Sequence, residues 1–128
     1  MKNNVKAIFK AEAEAIASIP ADQDFEGIIQ LLYTRIHQNG GKVIASGMGK
    51  AGQVANNIAT TFSATGTPAI FLHPSEAQHG DLGVIRENDV LIVLSNSGKT
   101  REILELVNLT DQLHQGLPII LITGNMEG

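Results

Sequence analysis

The chain of 128 residues has room for one domain around a single core, and its 43% hydrophobic and 17% charged residues are a globular composition without a disordered tract. A formal charge of −4 with no basic stripe excludes a nucleic-acid binder, because nothing is present to neutralise a run of phosphates. With no cysteine, disulfides and thiolate metal sites are excluded as well.

The N-terminal stretch MKNNVKAIFKAEAEAIAS carries Lys10, Glu12 and Glu14 where a signal peptide needs an apolar core. No apolar run approaches the roughly 18 residues that span a bilayer. A soluble, cytoplasmic protein without a membrane partner is expected. Val5, Ile8, Phe9, Ala13 and Ile16 recur at three- and four-residue spacing and predict a helix that Pro20 ends. Asp22 or Asp24 then caps a second helix with the stripe Phe25, Ile28, Ile29, Leu32 and Ile36, closed by Asn39-Gly40-Gly41.

From residue 42 the rhythm changes. KVIAS reads as a strand, GMGKAG as a glycine loop, and Val54, Ile58, Ala59 and Phe62 as one face of the following helix. AIFL is a second strand, and the polar passage from 73 to 89 is a long connection with no clear helix. VLIVLS is a third strand, Ile103, Leu104, Leu106, Val107 and Leu113 mark another helix, and IILIT is a fourth strand. Strands without polar alternation, separated by amphipathic helices, predict an α/β, three-layer, doubly wound parallel sheet. The chain stops in a loop after its fourth strand, so an incomplete domain is expected.

Two loops carry the chemistry. Gly47, Gly49 and Gly52 have the G-x-G-x-x-G spacing of a dinucleotide fingerprint. The second strand lacks the carboxylate that would hold a ribose, and close packing of helix on strand is the plainer use of such glycines. The stretch SNSGKT ends like a phosphate-binding P-loop, but Val93 stands where that loop needs its first glycine. Ser95, Ser97 and Thr100 nevertheless supply three hydroxyls, and Gly98 permits close backbone approach at a helix start, where unpaired amides favour an anion. Plain capping by Ser97 would explain one hydroxyl and not three. In the flavodoxin-like strand order 2-1-3-4 the two loops leave adjacent strands, so one phosphorylated ligand would touch both. Glu76, His79 and Asp81 cluster in the long connection at a spacing that matches no strong metal pattern, and no metal is expected. His37 and His114 read as solvated surface residues.

Taken together, GMGKAG, TFSATGTPAIFLHPSEAQHGDLG and SNSGKTRE resemble the sugar isomerase (SIS) domain, and within it the D-arabinose-5-phosphate isomerases of 3-deoxy-D-manno-octulosonate (Kdo) synthesis. The resemblance divides the chain into N-terminal helices (1–38) and an SIS domain incomplete at its C-terminal end (39–128). It implies interconversion of D-ribulose 5-phosphate and D-arabinose 5-phosphate through a cis-enediol, without a cofactor, for lipopolysaccharide or capsule. Lys50 matches the family's active-site lysine, Glu102 the glutamate of the phosphate loop, and His79 the histidine of a site shared between subunits. Ser95, Ser97, Gly98 and Thr100 match the phosphate grip, with Gly47 and Gly49 in the substrate loop.

The resemblance also implies a homotetramer, and a further glutamate and histidine beyond residue 128. Ala51 and Lys99 depart from the family's usual serine and glutamate. A phosphosugar-sensing SIS module without turnover is the alternative, one usually preceded by a basic DNA-binding segment that residues 1–38 do not provide.

Overall fold

Between residues 43 and 122 strand and helix alternate, and every strand pairing is parallel. The computed structural model describes residues 2–124. Strands β1 (Val43–Gly47), β2 (Ala69–Phe71), β3 (Val90–Leu94) and β4 (Ile119–Ile122) form one sheet in the order β2-β1-β3-β4, as the sequence led us to expect. All residues of β1 and β3 are buried, which is why neither shows polar alternation. β2 and β4 are the edge strands, and β4 leaves Ile119, Leu121 and Ile122 largely exposed.

Successive strand side chains point to opposite faces, so the sheet builds two cores. Val43 and Ala45 of β1 with Ile92 and Leu94 of β3 meet Ala55 and Ala59 of α3 (Gly49–Ala64). Ile44, Leu91 and Val93 meet Ile103 and Leu106 of α5 (Arg101–Leu113) on the other side, together with Leu72, Ile85 and Leu117. Helix, sheet and helix are the three layers of a doubly wound α/β fold.

Two helices precede the sheet. No residue of α1 (Lys2–Ala17) is buried, and its Val5, Ile8, Phe9 and Ile16 face outward. In α2 (Phe25–Leu32) Asp24 is the cap, its Oδ1 accepting from the Gly27 amide at 2.9 Å. The helix runs on as a π-helical turn, Tyr33–Gln38, which carries Ile36 into the first core.

At the amino ends of β1 and β3 a single carboxylate ties the strands together. Asp89, 1% exposed, accepts from the amides of Lys42 (2.9 Å) and Arg86 (2.7 Å) and from Lys42 Nζ (2.7 Å). Arg35 reaches across to the Asp89 carbonyl at 3.3 Å.

Several expectations need correction. Val54 is 49% exposed, and the face of α3 turned to the sheet is Gly52, Ala55 and Ala59. Small residues let the helix axis come close, leaving the larger Val54 outside. Leu104 and Leu113 likewise face outward, while Ile103, Leu106 and Thr110 are buried. The connection from 73 to 89 contains α4 (Pro74–Ala77) and a 3-10 turn (Asp81–Val84), with Pro74 and Ala77 buried. His114 is half-buried, its Nε2 meeting the Ile85 carbonyl at 2.9 Å, because the end of α5 packs over that loop. His37 is exposed, with Nε2 3.1 Å from Thr67 Oγ1. The expected ending of the chain in a loop falls on residues 125–128, which lie outside the described residues. Among those described, no helix is long and apolar enough to cross a membrane.

Candidate functional site

The site is built at the carboxyl ends of β1, β2 and β3. Gly47, the last residue of β1, pairs in register with Leu94, the last of β3, so the loops that follow leave the sheet side by side. In the first loop, Gly47 and Gly52 press together. A Cβ on Gly52 would stand 2.6 Å from the Gly47 carbonyl oxygen, and one on Gly47 would stand 2.9 Å from the Ala51 carbonyl. These glycines therefore serve helix–strand packing first. Met48 gives α3 no side-chain cap, so its first-turn amides have no capping side chain. Gly49 and Lys50 are exposed in that turn.

The second loop is held by its own hydroxyls. Ser95, 2% exposed, places Oγ 2.7 Å from Thr100 Oγ1 and accepts from the Gly98 amide at 3.0 Å. Ser97 Oγ accepts from the Lys99 amide at 3.0 Å. Gly98 has φ of +71°, a conformation that a side chain would strain and that turns the following residues so that Thr100 returns to Ser95. The far side of the loop is tied to the end of β4, where the Ser95 amide donates to Ile122 O (3.1 Å) and the Gly124 amide to Asn96 O (3.2 Å).

Thr100 occupies the cap position of α5, and its own side chain makes no capping hydrogen bond. Three hydroxyls gather at this helix start, an arrangement suited to a bound anion. Glu102 is half-buried in the first turn of α5. One turn on, Glu105 accepts from Arg101 Nε at 2.9 Å and from Gln78 Nε2, joining α5 to the residue after α4. The Glu105 bond, then the charges of Glu105 and Glu102, raises the Arg101 guanidinium above its ordinary value.

His79 is exposed just past α4, its amide donating to Glu76 O at 3.0 Å. Among the described residues no three of His, Asp or Glu are grouped as metal ligands. Sequence reasoning passed over a cleft of about 320 Å³ lined by Gly47, Gly49, Gly52, Gln53, Asn56, Phe71 and His73. It lies between the glycine loop and the end of β2. The position of His73 two residues past a parallel strand was the signal available.

The model of the SIS domain family matches residues 36–128. Arabinose 5-phosphate isomerase KdsD of Francisella tularensis is 42% identical over 96% of this chain and 37% of its own length. The Pseudomonas aeruginosa protein of that name is 44% identical over 91% of this chain and 34% of its own. The chain thus spans little more than a third of these curated relatives. Among solved structures, a Bacteroides fragilis protein proposed to be a phosphosugar isomerase involved in capsule formation superposes with a TM-score of 0.95. It is 54% identical, over 98% of this chain and 65% of that one. An Escherichia coli CFT073 protein in complex with arabinose 5-phosphate gives a TM-score of 0.79 at 35% identity, covering 96% of this chain and 63% of that one.

Proposed function

This chain belongs to the SIS domain family, and from that premise we propose that it is part of a phosphosugar aldose–ketose isomerase acting on D-arabinose 5-phosphate and D-ribulose 5-phosphate. The observation that carries the reading is the hydroxyl loop at the end of β3, set beside the glycine loop of β1 and leading into the N-terminus of α5. Relatives named arabinose 5-phosphate isomerase, and a structural neighbour in complex with arabinose 5-phosphate, support the choice of sugar.

In this proposal Ser95, Ser97, Thr100 and the Gly98 amide grip the phosphate, and the Gly47–Gly49 loop receives the sugar. A base removes the C2 proton of the aldose, giving a cis-enediol that is reprotonated at C1 as the hydroxyl proton passes from O2 to O1. Glu102 serves proton transfer or binds a sugar hydroxyl. Lys50 polarises the sugar oxygens and stabilises the developing enediolate, an electrostatic role suited to an ammonium on a fixed helix turn. His79 contributes to a site shared between subunits. The product feeds Kdo synthesis for lipopolysaccharide or capsule, and the outward apolar face of α1 is buried in a homotetramer.

The test is phosphorus and proton NMR of D-ribulose 5-phosphate in D2O with the chain present. A phosphate line that broadens, and sharpens again in Thr100→Ala, is the expected result for this part of the enzyme, and D-arabinose 5-phosphate carrying deuterium at C2 would show that residues 1–128 already suffice for turnover. Binding without turnover in a chain as long as the relatives would instead favour a sensing module. No effect of either kind would overturn the phosphosugar reading.

A further inference from the structure

The cleft beside the glycine loop contains a histidine whose ring is fixed and whose outer nitrogen is unused. His73 leaves β2 with extended backbone and caps α4, its Nδ1 accepting from the Ser75 amide at 3.1 Å. A nitrogen that accepts a backbone N–H carries no proton, so the proton of the neutral ring sits on Nε2. Phe71 packs against the ring in a T-shaped contact, with centroids 6.3 Å apart and planes at 79°. The backbone that presents the ring is tied to β1, through the Leu72 amide to Ala45 O (2.9 Å) and Ser46 Oγ to Leu72 O. Ser46 and Leu72 are both buried, and so is Pro74 on the other side of the histidine. Capping uses only Nδ1. Among the described residues no protein group pairs with Nε2, and the ring lines the 320 Å³ cleft together with Gly47 and Gly49.

We propose that His73 is a sugar-binding residue, a neutral imidazole whose Nε2–H donates a hydrogen bond to an oxygen of the phosphosugar lodged in the cleft between the glycine loop and β2. The inference rests on the phosphosugar reading and adds to it where the sugar end lies. Phosphate held at 95–100 fixes one end of the ligand, and the cleft on the other flank of Gly47 receives the polyol, with the amides of Gln53 and Asn56 on the same wall. Nδ1 is taken by the Ser75 amide, which leaves Nε2 as the ring nitrogen that can donate to the sugar. Such a donor stabilises negative charge on a sugar oxygen without giving up its proton.

Two substitutions separate this role from helix capping. His73→Asn keeps an acceptor near the position of Nδ1 and removes the Nε2–H, whereas His73→Gln keeps a donor near Nε2 and removes the cap. Affinity for D-arabinose 5-phosphate is read by NMR titration, with thermal unfolding alongside. His73→Asn is expected to unfold like the wild type yet bind about 10-fold more weakly, the scale of one lost hydrogen bond. His73→Gln is expected to regain most of that affinity while unfolding earlier. In the wild type, nitrogen-15 spectra should show a neutral ring whose Nε2 resonance moves with D-arabinose 5-phosphate and not with inorganic phosphate. Unchanged affinity in His73→Asn, losses that merely follow the unfolding temperature, or a silent ring while the 95–100 amides respond would overturn the role of His73 and leave the phosphosugar reading standing. Silence of both ring and loop would overturn both.

Discussion

Removing the Asp89 carboxylate should unfasten the sheet at the end remote from the candidate site. In Asp89→Ala the amides of Lys42 and Arg86 and the Lys42 ammonium all lose their acceptor. Hydrogen bonds to a charged group are worth about 1.5–3 kcal/mol each, and breaking a buried ion pair costs about 3–5 kcal/mol. Lys42 is 22% exposed at its side chain and donates also to Val84 O, so its charge retains other partners. The lower end of that range, about 3 kcal/mol, is therefore expected. For a chain of this size it corresponds to about 12 °C in Tm, a large part of a typical 5–15 kcal/mol stability.

Asp89→Asn preserves shape but turns an amide NH2 toward donors, so it should fall between wild type and Asp89→Ala. Urea unfolding followed by circular dichroism gives the free energies. A strand of five residues sets Asp89 about 20 Å from the loop at Ser95, so phosphosugar affinity of the folded fraction should not change. An Asp89→Ala chain within about 1 kcal/mol of wild type would refute the assignment of Asp89 as the tie between β1 and β3.

Gly52→Ala should push the start of α3 away from β1, because its Cβ meets the Gly47 carbonyl at 2.6 Å. A loss of about 2 kcal/mol in urea unfolding and weaker phosphosugar binding by NMR are expected together. Thr110 Oγ1 is buried without a hydrogen-bond partner among the described residues, so Thr110→Val should raise stability by about 1 kcal/mol, read as a higher Tm by calorimetry. Ser95→Ala deprives Thr100 Oγ1 and the Gly98 amide of their shared partner. It should cost about 1 kcal/mol in the same calorimetric measurement and weaken phosphosugar affinity at least as much as Thr100→Ala.

The sheet was legible because long apolar runs such as VLIVL have few other uses in a chain of this size, and the helical periods between them fix parallel crossovers. What escaped was short or small. One turn of helix at Pro74–Ala77 offers no period to detect, and the π-helical turn at Tyr33–Gln38 has no compositional mark. Val54 misled because apolar periodicity weighs large residues, while the seam against the sheet is made of Gly52, Ala55 and Ala59. The three hydroxyls of the second loop could be located but not partnered, since Ser95 finds Thr100 only through the turn at Gly98. His73 was passed over because the end of β2 was searched for a carboxylate.

The mutual contact of Gly47 and Gly52 bears on how such a site can diversify. The Gly47 carbonyl excludes a side chain on Gly52, and the Ala51 carbonyl and Gly52 amide exclude one on Gly47, so the first loop is a rigid datum whose shape is dictated by the scaffold and not by the ligand. A change of preferred sugar cannot begin by lengthening or reshaping it without displacing α3. Variation is channelled instead into positions that project from fixed backbone, such as Gln53 and Asn56 on the cleft wall and Lys99 at the rim of the hydroxyl loop. Random libraries over residues 47–52 should therefore yield mostly misfolded chains, whereas libraries at 53, 56 and 99 should yield folded ones with altered selectivity.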